Sequence, residues 1–375
     1  MKILSVFGTR PEAIKMAPLI QALEKTPGMD SVVAVTAQHR QMLDQVMQLF
    51  SLKADYDFDL MRHGQTVSSI TQAVLQKMDP VLEKEKPDLV LVHGDTTTTF
   101  AAALAAFYRH IPIGHVEAGL RSGDKAAPFP EEINRKLTDA MADWFFAPTQ
   151  TAAGHLKAEN IPEDRIFITG NTVIDALLQV TAMPEEDYPW LRDIQGKRLL
   201  TLTCHRRENW GEPMRQIFAA IRRVLLEKPD CRLIFPAHLN PLVQQQAHAA
   251  FDDLPQARII APLDYQPFAV LMKKSDLIIT DSGGLQEEAP ALGKPVLVLR
   301  QVTERPEAIA AGTADLAGVT FDSVYAKLSR LLEDEALYRR MSHAANPYGD
   351  GHAAEQICAI LQEHVAPTLA GRLEA

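Results

Sequence analysis

Two short segments concentrate the chemistry in this chain. Cys204-His205-Arg206-Arg207-Glu208 offers an imidazole beside two guanidinium groups. Ser282-Gly283-Gly284-Leu285-Gln286-Glu287-Glu288 begins 77 positions after His205. Each follows a short apolar run that reads as a β-strand, and each leads into a helix. The second segment places glycine amides at a helix N-terminus, where the backbone N–H groups and the helix dipole favour an anion. Gly8-Thr9-Arg10-Pro11-Glu12 repeats the strand-to-helix pattern near the N-terminus, with a cation in the loop. Phosphate-binding strand ends in both halves point to two α/β lobes facing one phosphorylated ligand.

Three carboxylates add acid–base capacity. Asp95 and Glu117 each lie just past an apolar run, and Glu131 follows Pro128-Phe129-Pro130. Each has a plainer reading. Asp95 can cap the helix that begins at Thr96 to Thr99. Glu131 can be a first-turn acid favoured by the helix dipole. Glu117 has the weakest plain reading, since an acid ending a buried strand needs a partner. His205 read alone is a structural histidine, but its arginine neighbours and loop position favour function. Cys204 reads as a packing cysteine. Ser282-Gly283-Gly284 read alone is a tight turn with Asp281 or Ser282 as cap. Arg10, Lys15 and Arg305 can neutralise phosphates, although each alone is an ordinary surface charge. His238-Leu239-Asn240-Pro241 reads as a structural loop.

The elements that must position these groups alternate along the chain. Strands are expected at Ile3–Phe7, Val32–Thr36, Leu89–Val92, Ile113–Val116, Trp144–Ala147 and Ile166–Ile168, then at Leu199–Thr203, Arg232–Phe235, Ile259–Ile260, Leu277–Ile279 and Val296–Val298. Helices are expected at Glu12–Lys25, His39–Phe50, Thr66–Lys86, Gly211–Glu227, Phe321–Glu333 and about Gly351–Glu363, from apolar positions that recur on one face. Such alternation predicts parallel sheets covered by helices, with ligands outside the carboxyl ends of the strands. A Pro- and acid-rich stretch from Met183 to Lys197 reads as the crossing between two domains.

The totals agree. A chain of 375 residues exceeds one ordinary core and predicts roughly two domains. The net charge of −10 argues against a nucleic-acid surface. Local arginines can still draw an anion into a cleft. Three cysteines give no disulfide framework and no CxxC spacing for a metal, as suits a reducing cytoplasm. No apolar run reaches the roughly 18 residues of a membrane span. The apolar N-terminus meets Gly8-Thr9-Arg10 too soon for a signal peptide. Neither G-x-G-x-x-G nor G-x-x-x-x-G-K-[ST] occurs, so no nicotinamide or P-loop cofactor site is expected.

Taken together, these segments resemble the non-hydrolysing UDP-N-acetylglucosamine 2-epimerases over nearly the whole chain. The match includes Phe7-Gly8-Thr9-Arg10-Pro11-Glu12-Ala13-Ile14-Lys15, Thr36-Ala37-Gln38-His39-Arg40, His93-Gly94-Asp95-Thr96-Thr97-Thr98-Thr99 and His115-Val116-Glu117-Ala118-Gly119-Leu120-Arg121. It continues through Gly170-Asn171-Thr172, His205-Arg206-Arg207-Glu208-Asn209, Asp281-Ser282-Gly283-Gly284 with Gln286-Glu287-Glu288, and Thr303-Glu304-Arg305-Pro306-Glu307. The resemblance implies an α/β fold of two Rossmann-like domains in a glycosyltransferase-B arrangement with an interdomain cleft, working as a homodimer. The domains would span 1–180, with a C-terminal helix at about 351–375 packing back on it, and 181–350.

The same resemblance implies that Arg10, Lys15, Ser282, Gly283, Gly284, Glu288 and Arg305 bind UDP, with Phe268 near the uracil. It implies catalytic or sugar-contacting roles for Asp95, Glu117, Glu131 and His205, and UDP-N-acetylglucosamine as substrate. Some members bind a second UDP-N-acetylglucosamine as activator near the positions of Gln38, Gln41 and Gln65. Those members carry Arg where this chain has Gly64.

The substrate constrains the chemistry. The C2 proton of the sugar is not beside a carbonyl, so direct abstraction is slow. Transient oxidation at C3 needs NAD, for which no fingerprint exists here. Expulsion of UDP, making C1–C2 an alkene, needs only charge stabilisation and acid–base groups on two faces. The residues leave open which carboxylate does which. A hydrolysing relative, a glycosyltransferase of the same fold and a UDP-sugar sensor are the alternative readings.

Overall fold

The computed structural model describes residues 1–37, 40–60, 64–192 and 194–374. The chain divides into two compact units, Met1–Ala176 with Tyr348–Ala375, and Leu177–Pro347. Both are Rossmann-like, each with a parallel sheet flanked by helices.

In the first unit the strands are β1 (Lys2–Phe7), β2 (Asp30–Val35), β3 (Tyr56–Asp57), β4 (Leu89–His93), β5 (Ile113–Val116), β6 (Trp144–Ala147) and β7 (Ile166–Ile168). Their spatial order is β3-β2-β1-β4-β5-β6-β7. Leu89-Val90-Leu91-Val92 is fully buried, as expected of a parallel strand covered on both faces. The helix Thr97–Tyr108 presents Ala101, Ala102, Ala103, Ala105 and Ala106 to the core, small residues that let it lie close on the sheet. Helix Arg10–Lys25 starts on a capping box: Thr9 accepts from the Glu12 amide and Glu12 reaches back. The returning C-terminal segment is pinned by Asp175, whose carboxylate accepts the first amides of helix Ala353–Ile360, Ala353 at 3.3 Å and Ala354 at 2.8 Å.

In the second unit the strands are β8 (Arg198–Thr203), β9 (Cys231–Pro236), β10 (Ala257–Ile260), β11 (Leu277–Thr280), β12 (Val296–Val298) and β13 (Ala314–Leu316). The order is β10-β9-β8-β11-β12-β13. The expected crossing at 183–197 belongs to this unit. Its Trp190, Leu191 and Ile194 pack on a cluster of Leu199, Ile234 and Leu271. Three apolar side chains among the acids were enough to hold the stretch against the sheet. The chain changes units inside helix Thr172–Thr181 instead. The strands β3 and β13 escaped the sequence reading because Tyr56-Asp57 and Ala314-Asp315-Leu316 carry no continuous apolar run.

Both sheets reverse their strand order in the middle, between β1 and β4 and between β8 and β11. In open parallel sheets the crevice at such a reversal is where ligands bind. Gly8-Thr9-Arg10 and Gly94-Asp95 leave the first pair; Cys204-His205-Arg206 and Asp281-Ser282-Gly283 leave the second. Among the described residues no helix is long and apolar enough to cross a membrane.

Candidate active site

The first unit builds its site from three strand ends. Arg10 is not in the loop after β1; it is the first residue of the helix. Glu12, one turn in, ties that loop to the next. Its Oε2 accepts the Gly8 and Thr9 amides at 3.0 and 2.7 Å, and its Oε1 accepts the Thr96 and Thr99 hydroxyls at 2.7 and 3.0 Å. Burial raises the Glu12 pKa above its ordinary value despite these donors. Gly8 has no room for a side chain: a Cβ there would lie 2.0 Å from the Thr36 hydroxyl.

Asp95 follows β4, but it is not the cap of the helix after it. Thr96 is the N-cap, accepting from the Thr99 amide at 3.1 Å. Asp95 is instead held from helix Glu131–Met141: the Asn134 amide donates to its carbonyl at 3.0 Å, and Arg135 Nη2 donates to its Oδ2 at 2.5 Å. The same guanidinium donates to the Glu117 carbonyl and approaches Glu117 Oε1 at 3.5 Å.

Glu117 directly follows β5 in the left-handed region, φ 62°, unusual for a residue with a side chain. Its buried carboxylate has the partners that burial demands. Lys15 and Asn171 both donate to Oε2, Asn171 at 2.9 Å. His93 Nε2 stands 4.0 Å away. Burial would raise the Glu117 pKa, but the cations override it and hold the group well below its usual range. His93 is itself pushed down to about 3 by burial, so it is neutral near pH 7 and the effect belongs to Lys15 and Arg135. Behind this cluster His115 sets one ring nitrogen on Asp139 at 2.6 Å and the other on the Gly94 carbonyl at 2.7 Å. Glu131 opens the helix that carries Arg135, in the first-turn position. No hydrogen bond among the described residues ties it to the Asp95–Glu117 network.

The second unit assembles its own site. Asp281, fully buried, accepts the amides of His205 and Arg206 at 2.9 Å each and the Asn209 amide group at 3.0 Å. Burial would raise its pKa, and His205 with the two amides holds it below the ordinary value. The His205 ring stacks on His238, centroids 6.0 Å apart and planes 16° apart. Both rings line a pocket of about 250 Å³ with Phe268, Ser282, Pro262 and Leu285. His238, read from sequence as structural, does cap its own loop through the Asn240 amide, but it also shapes this pocket. Cys204 is buried and burial pushes its thiol far up, so it is no nucleophile.

Helix Gly283–Ala291 begins at Ser282 without a side-chain cap, leaving its first-turn amides for another acceptor. A Cβ at Gly283 would meet Arg206 Nη2 at 3.7 Å, Glu304 Oε2 at 3.8 Å and Arg305 Cζ at 3.9 Å. Cations therefore gather at this helix start. Glu304 is already among them, accepting from Arg206 at 3.2 Å and Arg300 at 3.1 Å. Arg305 Nε donates to Glu287. Glu288 lies on the same helix with an oxygen 3.4 Å from the Gly284 Cβ position. Of the expected activator positions, the Gln65 side chain donates to the Leu60 carbonyl at 2.8 Å. Gln38, and the side chain of Gln41, lie outside the described residues.

Sequence reasoning singled out Asp95, Glu117, His205 and the Ser-Gly-Gly turn, but passed over Arg135, His93 and the burial of Glu12. Glu12 had a signal, the Thr9-x-x-Glu12 capping box. Arg135 had none beyond its place one turn after Glu131.

A family model described as UDP-N-acetylglucosamine 2-epimerase matches residues 21–362. The UDP-N-acetylglucosamine 2-epimerase of Bacillus subtilis is 52% identical over 364 residues, covering 97% of this chain and 96% of that protein. A crystal structure of the Neisseria meningitidis UDP-GlcNAc 2-epimerase bound to UDP-GlcNAc superposes with a TM-score of 0.85 at 46% identity, covering 97% of this chain and 100% of the other. The Methanocaldococcus jannaschii enzyme, in complex with UDP-GlcNAc and UDP, gives a TM-score of 0.75 at 36% identity over 96% of this chain and 99% of that one.

Proposed function

Because the chain belongs to the UDP-N-acetylglucosamine 2-epimerase family, whose members are isomerases, we propose that it interconverts UDP-N-acetylglucosamine and UDP-N-acetylmannosamine by eliminating and re-adding UDP. A base takes the C2 proton. The C1–O bond breaks, its electron pair leaves with UDP, and C1–C2 becomes the double bond of 2-acetamidoglucal. Re-addition of UDP to C1 with protonation of C2 from the opposite face inverts that centre.

The roles follow from charge and position. In the second unit the Ser282-Gly283-Gly284 turn and Arg305 are assigned to the diphosphate; Arg10 and Lys15 of the first unit are assigned to UDP by the family resemblance alone. Phe268 serves the uracil, Glu288 the ribose, and His205 the departing oxygen. Preorganised donors of this kind stabilise a developing anion. In the first unit Glu117, Asp95 and Glu131 are the candidates for proton transfer on the two faces; the cations keep Glu117 ionised and also weaken it as a base. The observation that carries the reading is the joining of Asp95 and Glu117 by one buried guanidinium at a strand-order reversal. The chain needs no added cofactor in this scheme. The reading further takes the enzyme as a cytoplasmic homodimer whose product supplies N-acetylmannosamine for surface polysaccharide.

The test is proton NMR of UDP-N-acetylglucosamine with the protein in D₂O and nothing else added. C2-deuterated UDP-N-acetylmannosamine is expected, and an oxygen-18 label in the bridging position should scramble. Unchanged substrate overturns the reading. Free N-acetylmannosamine instead of the UDP-sugar makes the chain a hydrolase.

A further inference from the structure

We propose that Arg135 is a positioning residue for this reaction, a group that holds the Asp95 and Glu117 carboxylates in working register. The inference rests on the proposed epimerisation. Its geometry is independent of it. The guanidinium is 5% exposed, so it is not a surface charge. Its Nη1 is on the Glu117 carbonyl, and its Nη2 reaches both Asp95 Oδ2 and Glu117 Oε1. A planar fork with fixed spacing sets the distance between what it binds, which a flexible ammonium cannot do. The grip on the Glu117 carbonyl also fixes a residue whose φ of 62° is otherwise unfavourable. Asn134, next in the helix, fastens the Asp95 backbone. One helix thus carries Glu131 in its first turn and anchors the other two acids from the next.

The electrostatics give this geometry a consequence. Two carboxylates sharing one site resist ionising together. The Arg135 cation beside Glu117 opposes the effect of burial and, with Lys15, holds that carboxylate well below its usual range. Glu117 is faced by Lys15 from helix Arg10–Lys25, His93 from β4, Arg135 from its own helix and Asn171. Asp139 and His115 lie behind. Lys15 touches Glu117, and Arg135 contacts both acids from one guanidinium.

The test compares wild type with Arg135→Gln and Arg135→Lys. Three quantities are read: kcat and KM for UDP-N-acetylglucosamine, the pH profile of kcat, and the titration of the Glu117 carboxyl carbon by NMR. Arg135→Gln should lower kcat about 100-fold or more with KM within about threefold, since positioned acid–base groups give about 10²–10⁴. The acid limb of its kcat profile, and the Glu117 titration, should both move to higher pH. Arg135→Lys should keep the limb near the wild-type position but still lose kcat, because charge without the fork restores ionisation and not register. An unmoved Glu117 titration in Arg135→Gln overturns the proposal, as does wild-type kcat in Arg135→Lys. If Arg135→Gln does not fold, the Lys variant decides. Wild-type protein that leaves C2 unexchanged in D₂O sinks the epimerase reading instead, while the carboxyl titration still reads the proposal.

Discussion

The Asp281 carboxylate and the His205 loop are joined at three points. One oxygen takes the amides of His205 and Arg206, and the other lies 3.2 Å from His205 Nδ1. A buried carboxylate oxygen this near Nδ1, with no hydrogen-bond partner of its own, favours the tautomer protonated there and leaves Nε2 to act on a ligand. The imidazole is 43% exposed while its anchor is fully buried. The reactive end is thus open and its orientation is set from inside the sheet.

Replacing that anchor should therefore act through His205. Asp281→Asn keeps the shape but offers an amide where the ring needs an acceptor. Turnover should fall roughly 10- to 100-fold, within the range of a misplaced acid–base group. Steady-state kinetics together with ¹⁵N spectra of the His205 ring check this; an unchanged ring spectrum with lowered turnover would point away from tautomer control.

Among the proposed catalytic groups, Asp95→Asn, Glu117→Gln and His205→Ala should each lower turnover by about 10²-fold or more. Circular dichroism should stay as in wild type. A variant with near-normal turnover removes its residue from the catalytic set.

His93 makes stability depend on pH. Its folded pKa is pushed down to about 3 by burial, whereas an unfolded histidine titrates near 6.5. Between those values the unfolded chain holds the extra proton. Stability is then complete above the unfolded value and is lost as pH falls toward the folded one. Each unit of pH inside that window costs about 1.4 kcal/mol, so roughly 2 kcal/mol should go between pH 6.5 and 5. His93→Leu should lose less than wild type over that interval in urea titrations. Parallel losses in the two proteins would assign the slope to other groups.

The packing around Gly8 gives a contrast between two glycines. Gly8→Ala drives a methyl into the bonded Thr36 and Thr98 hydroxyls, 2.0 and 2.7 Å away. It should cost about 1–3 kcal/mol and disturb the turn before Arg10 and the loop of Asp95, lowering turnover too. Gly154→Ala, in helix Gln150–Ala158 with nothing within 4 Å, should stabilise by about 0.5–1 kcal/mol. Denaturant midpoints of both variants test the pair.

Glu304 stands where the proposed diphosphate would gain from positive charge. Neutralising it in Glu304→Gln should tighten UDP binding by a factor of about 2–5, the scale of a partly exposed charge interaction. Calorimetric titration with UDP reads the change. Weaker binding would mean that Glu304 chiefly holds Arg206 and Arg300 in place.

Much of this architecture was legible in the chain itself. The continuous run Leu89–Val92 read as a strand buried on both faces, and the alternation of such runs with amphipathic helices predicted parallel sheets. The polar loops after those runs therefore had to gather at one edge of each sheet. Apolar period, capping residues and glycine turns act over a few neighbours, so sequence alone determines them. Strand order is not local. Only the adjacency of β1, β4 and β5, and of β8 to β11, set Glu12 on Thr96 and Thr99, Lys15 on Glu117, and Asp281 under His205. The tertiary structure likewise gave Arg135 its two carboxylates and placed Met183–Lys197 against the second sheet. These side-chain bonds join residues tens of positions apart, and their energy depends on separations in space that no spacing along the chain encodes.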